Sequence, residues 1–167
     1  MKKLLAGFAF FGAVALASAQ TIVVDKETLD YGKVKPGSDG HRYFAVKNVG
    51  DKPLILSNVK ASCGCTTPEW SKDPILPGKT AQIKVGYNTG INGFFKKQIE
   101  VYSNDPQNSR IALNITGTVD AAGADVANVK PYTDAELKDA FKAKEAEMKK
   151  MLKEKKKAER KAKHAKA

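Results

Sequence analysis

The feature that most constrains this chain is a succession of short stretches rich in β-branched and aromatic residues, each closed by turn chemistry, from residue 20 to about residue 119. The runs 21–25, 29–34, 42–48, 53–61, 79–88, 93–103 and 110–119 read as strands. Between them lie Lys35-Pro36-Gly37, Gly50-Asp51-Lys52-Pro53, Leu76-Pro77-Gly78, Thr89-Gly90-Ile91-Asn92-Gly93 and Asn104-Asp105-Pro106. Such strings join residues that set a fixed negative φ to residues that tolerate a positive one, which makes them turns rather than helix interiors. Alternation turns Ala81, Ile83, Val85 and Tyr87 inward on one strand, Ile99 and Val101 on another, and Ile111, Leu113, Ile115 and Val119 on the last. Their neighbours are mostly polar, as a sheet with one buried face requires. The pattern predicts a mainly β protein: an immunoglobulin-like β-sandwich of about seven strands over residues 20–119.

The two ends follow other rules. Lys2 and Lys3 precede an apolar run from Leu4 to Ala17, and Ala17-Ser18-Ala19 follows it. This is the order of a secretory signal peptide over residues 1–19, with cleavage between Ala19 and Gln20. The run is shorter than the ~20 residues that cross a bilayer, so no transmembrane span is expected in the mature chain. A periplasmic or otherwise extracytoplasmic address follows. Residues 120–132 are small and without period, and read as a linker. Thr133-Asp134-Ala135-Glu136 is a capping box, after which residues 133–167 hold neither glycine nor proline and read as a long basic C-terminal α-helix. Leu137, Phe141, Met148, Met151 and Leu152 fall near one face of it.

The formal charge of +11 is concentrated in that tail, where residues 134–167 carry 13 basic against 7 acidic side chains. Lys149, Lys150, Lys153, Lys155, Lys156, Lys157, Arg160, Lys161, Lys163 and Lys166 form the candidate surface for an anionic partner, either anionic lipid or lipopolysaccharide. No aromatic residue lies beyond Phe141, which disfavours base stacking, so nucleic acid is an unexpected partner.

Cys63 and Cys65 are the two cysteines, and the sequence leaves their state open. Counting alternate residues from Ile55 through Val59 and Ala61 puts both sulfurs on the core face, as small hydrophobes. Gly64 between them also permits the backbone to tighten into a disulfide, a short ring that is more readily reduced than a structural bridge. A third reading has two thiolates holding Cu(I), although His41, expected in a loop, and His164 are not brought near by anything in the sequence. Two thiols are too few for a closed tetrahedral site, so neither a metal nor another cofactor is assigned. Trp70 is expected to pack in or between the sheets. There is no Ser/His/Asp arrangement, no phosphate-binding glycine loop and no carboxylate pair, which argues against an enzyme.

The string Ala61-Ser62-Cys63-Gly64-Cys65-Thr66-Thr67-Pro68-Glu69-Trp70, with Pro74-Ile75-Leu76-Pro77-Gly78 after it, resembles the bacterial family catalogued as domain of unknown function 1573. The upstream Phe44-Ala45-Val46-Lys47-Asn48-Val49-Gly50 and the later Val101-Tyr102-Ser103-Asn104-Asp105 are similar to it too. The resemblance implies an exported immunoglobulin-like domain of Bacteroidetes-type bacteria with no established activity. The expectation is a non-enzymatic cell-envelope binding or structural module, its sandwich docking to an unidentified envelope protein and its tail to an anionic surface. The competing expectation is a periplasmic thiol-redox or copper-binding protein using Cys63 and Cys65.

Overall fold

The computed structural model describes residues 20–142, 144–146, 150 and 154. Their strands are β1 (Ile22–Val24), β2 (Thr28–Val34), β3 (His41–Asn48), β4 (Leu56–Ala61), β5 (Thr66–Trp70), β6 (Thr80–Tyr87), β7 (Gly93–Ser103) and β8 (Arg110–Val119). One sheet has the order β1-β3-β6-β5 and the other β2-β8-β7-β4. Every neighbouring pair is antiparallel except β2 and β8. The first extended stretch of the chain is thus divided, β1 in one sheet and β2 in the other.

The sequence pattern predicts about seven strands, and the eighth is β5. It eludes a propensity reading because it is only five residues long and contains Pro68. Proline cannot donate to a ladder, but β5 is an edge strand and Pro68 pairs with Val85 from a position where that loss is tolerable. His41 is not in a loop; it opens β3, opposite Gly86.

The inner faces meet in a core built on Phe44, Val46, Ile83, Val85, Ile99, Val101, Leu113 and Ile115, all completely buried. The alternation predicted for β6, β7 and β8 is the one observed, with Ala81 and Ile111 only partly covered. Toward one end the core becomes aromatic: Tyr87 stacks on Phe95 at 3.7 Å, and Tyr31 meets the same ring edge-on at 5.3 Å. Gly117 makes room for them, since a Cβ there would lie 2.8 Å from both Phe95 Cζ and Tyr31 Cβ. Burial raises the Tyr31 hydroxyl pKa well above the usual phenol value, and that hydroxyl donates to the Gly40 carbonyl at 3.0 Å.

Residues 120–132 are bound to the sandwich rather than free of it. Val34 and Ala124 form a parallel bridge, the Asp39 N–H donates to the Val126 carbonyl at 2.6 Å, and the Val129 N–H donates to the Asp39 carboxylate at 3.0 Å. Burial works against charge on Asp39, but the His41 and Val129 N–H donors outweigh it and hold its pKa below the usual carboxylate value. Gln82 and the Tyr132 backbone then exchange two hydrogen bonds, each 2.9 Å.

Helix α1 begins at Asp134, and its described helical residues are 134–142, 144–146, 150 and 154. The capping box closes as the sequence predicts: Thr133 N–H donates to Glu136 Oε2 at 2.7 Å and Glu136 N–H to Thr133 Oγ1 at 3.4 Å. Phe141 is buried to 1% exposure but lies outside the main core cluster. Ala45, turned by strand alternation to the opposite face from Phe44 and Val46, is buried completely. The Lys47 ammonium sits 5.7 Å over the Phe141 ring and pairs with Glu145. α1 therefore covers the outer face of the β1-β3-β6-β5 sheet. Met148, Met151 and Leu152 lie outside the described residues, as do residues 1–19.

Candidate functional site

Between β4 and β5 the chain must cross from one sheet to the other within residues 62–65, and both cysteines fall in this crossing. Their sulfurs form a disulfide with an S–S bond of 2.09 Å and a Cα–Cα distance of 5.4 Å. The reading of Cys63 and Cys65 as core hydrophobes on a continuing strand is therefore corrected. Ile55 is 40% exposed, while Leu54 and Leu56 are buried, and a register shift between Leu56 and Asn58 brings Val59 back to the core face. The count then fails beyond Ala61, where β4 ends and strand alternation no longer applies. With both sulfurs in one bond, neither is a thiolate available to copper.

The crossing is held by backbone rather than by buried side chains. Ser62 N–H donates to the Gln98 carbonyl at 2.9 Å, Asn88 N–H to the Cys65 carbonyl at 3.0 Å, and Thr66 N–H to the Cys63 carbonyl at 3.4 Å. Cys65 packs against the core cluster, while both cysteines keep partial solvent contact. Thr66 is 3% exposed, and its hydroxyl lies 3.6 Å from Cys63 Sγ and 3.9 Å from Cys65 Sγ. Trp70, half-buried at the far end of β5, packs against the core and donates its indole N–H to the Leu56 carbonyl at 3.2 Å, as the packing role predicts.

Three loops interlock around this end. Asn88 joins the crossing to the turn 88–92, where the Ile91 N–H donates to the Asn88 carbonyl at 3.2 Å. Thr89 in turn donates its hydroxyl to the Ser38 carbonyl at 2.6 Å, tying in the loop 35–40. On this rigid base two apolar side chains face solvent: Ile91 at 46% exposure and Phe94, the second residue of β7, at 73%. The sequence carried a signal for Phe94, because the alternation that turns Ile99 and Val101 inward also turns Phe95 inward and Phe94 out. Thr66 carried none, since its proximity to both sulfurs depends on the crossing.

Of the ten tail cations, Lys150 is within the described residues, helical and exposed. The other nine, and Ala19 at the cleavage position, lie outside them. Among the described residues no group of three or more His, Cys, Asp or Glu side chains is placed to hold a metal ion. No described helix is long and apolar enough to cross a membrane.

Residues 22–119, which run from the first residue of β1 to the last of β8, match the family described as "Protein of unknown function (DUF1573)". The chain belongs to that family. Its DUF1573 domain resembles the crystal structure of a protein of unknown function from Porphyromonas gingivalis W83, with a TM-score of 0.55 and 21% identity over 66% of this chain. The match takes in 51% of that chain, so the protein spans about half its relative's length. A PapD-like domain of human CEP192 is similar at a TM-score of 0.53 and 6% identity, covering 72% of this chain and 99% of that domain. At such identities the likeness is one of fold. No curated protein matches the DUF1573 chain.

Proposed function

We propose that this DUF1573 protein is a module of the bacterial cell envelope that docks to a protein partner through the disulfide end of its sandwich. The observation that carries the reading is Phe94, an aromatic side chain left 73% exposed on β7, with Ile91 exposed at the same end. Aromatic groups on a rigid base are the usual anchors of protein interfaces, because they bury much area at little conformational cost. Export after cleavage between Ala19 and Gln20 accords with the oxidised Cys63–Cys65 pair, since disulfides persist outside the cytoplasm. The lysine-rich tail adds attraction to anionic lipid or lipopolysaccharide.

The test is site-specific photo-cross-linking in intact cells, with the probe at position 94 or at Leu76, a 55% exposed residue used as control. The reading expects defined envelope adducts from position 94 that Ile91→Ser abolishes, and none of them from position 76. Identical adducts from both positions, or adducts indifferent to Ile91→Ser, would refute it. For the tail, truncation after Leu152 should weaken co-sedimentation with anionic vesicles, and the full chain's binding should fade as salt rises past ~0.15 M. Mass analysis of the N-terminus from envelope fractions should find Gln20 first.

A further inference from the structure

A disulfide stabilises a fold chiefly by restricting the unfolded chain, and the restriction grows with the length of the loop it closes. The Cys63–Cys65 bridge joins residues two apart, close to the shortest loop possible, and it ties no strand to another. The hydrogen bonds of Ser62, Cys65 and Thr66 already hold the crossing. Stability therefore leaves the bridge largely unexplained, and its surroundings suit a different task.

We propose that Cys63 and Cys65 form a thiol–disulfide exchange site for a protein dithiol, which the neighbouring apolar side chains Ile91 and Phe94 receive. The docking part rests on the reading in the preceding subsection; the exchange chemistry does not.

The geometry gives the reaction a direction. Cys65 packs against the core cluster, whereas Cys63, also partly exposed, does not, so Cys63 is the better placed of the two sulfurs for attack. A thiolate of the partner attacks Cys63 Sγ, forming a mixed disulfide as the Cys63–Cys65 bond breaks, and the electron pair leaves on Cys65 Sγ. The Thr66 hydroxyl, within reach of both sulfurs, donates to the departing thiolate. The partner's second thiolate then attacks its own sulfur in the mixed disulfide and releases Cys63. The partner dithiol is oxidised to a disulfide, Cys63 and Cys65 are reduced to thiols, and the two protons the dithiol gives up balance the two they take. The reverse sequence reduces a partner disulfide.

The test uses the full mature chain and two small probes, dithiothreitol and glutathione, with thiols alkylated and counted by mass. Two thiols should appear without denaturant while the circular dichroism of the fold persists, and oxidised glutathione should restore the bridge. The reduced Cys65→Ser variant, lacking its resolving thiol, should accumulate a glutathione adduct on Cys63 at least tenfold faster than Cys63→Ser accumulates one on Cys65. Thr66→Val should slow exchange about tenfold, the loss of one hydrogen bond to a charged sulfur, and Thr66→Ser should recover it. A bridge that dithiothreitol opens only in denaturant, or single-cysteine variants that react equally, would overturn the proposal. An unreactive bridge with position-94 cross-links intact removes the exchange alone. Normal exchange in the Ile91→Ser variant that has lost the position-94 cross-links supports the chemistry and the docking separately.

Discussion

Asp105 gives a sharp test of how the first strand is held. Its side chain is 1% exposed, yet both oxygens are occupied: Oδ1 accepts from the Gln107 and Asn108 N–H groups at 2.8 and 3.0 Å, and Oδ2 from Ile22 N–H at 2.9 Å. Burial alone would raise its pKa, but the Ile22, Asn108 and Gln107 donors prevail and the pKa falls below the usual carboxylate value. Asp105→Asn keeps the shape and one acceptor oxygen. With that oxygen toward Gln107 and Asn108, the new amide points its hydrogens at the Ile22 N–H, a donor against a donor. A buried N–H left without an acceptor costs about 1–3 kcal/mol. At a urea m-value of about 1–3 kcal/mol/M, a loss of 2 kcal/mol moves the unfolding midpoint down by roughly 1 M. The pH dependence has a definite sign. A depressed folded pKa contributes stability in full above the unfolded value of about 3.9, and that stability is lost as pH falls through the folded pKa. The variant should therefore be weaker than the parent at pH 7 and approach it only as pH falls through the depressed folded pKa, where the parent's carboxylate takes up its proton. Urea titration at pH 7 and at descending acid pH checks this. Equal midpoints at pH 7 would refute the claim that Asp105 holds β1.

Phe141→Ala should remove about 3 kcal/mol, mostly from helix docking rather than from the sandwich. Amide exchange should accelerate over residues 134–142 and at Ala45 while β6 to β8 stay protected; unchanged exchange would mean α1 does not depend on this ring. Gly117→Ala forces a methyl against Phe95 and Tyr31, at 2.8 Å from each, and should cost about 1–3 kcal/mol with an altered near-ultraviolet aromatic signal. An unchanged melting temperature would refute the tight-fit argument. Replacing both Cys63 and Cys65 by serine should cost only about 1.6 kcal/mol, the entropy of a three-residue loop, so thermal unfolding should remain cooperative with a slightly lower midpoint.

The sequence by itself determined the strands that alternate, the turns between them, the capping box at Thr133 and the family membership, because each depends on neighbours a few residues apart. The inward rows of β6, β7 and β8 follow from a period of two, whatever those strands pack against. Four features were decided only by the tertiary structure. β5 is short and broken by Pro68, and it exists because β6 offers it a ladder. The state of the cysteines was not legible because β4 ends at Ala61 and parity cannot be carried through the crossing 62–65, where only Cys65 packs on the core. The segment 120–132 looks like a linker because its small residues carry no pattern of their own; Asp39 in the loop before β3, Gln82 of β6, and Asp25 just after β1, whose carboxylate accepts from the Tyr132 hydroxyl at 3.3 Å, hold it in place. Burial of Phe141 against the outer sheet face likewise requires that face to exist first. Local periodicity specifies which side of an element is apolar, whereas partners distant in sequence decide what that side meets.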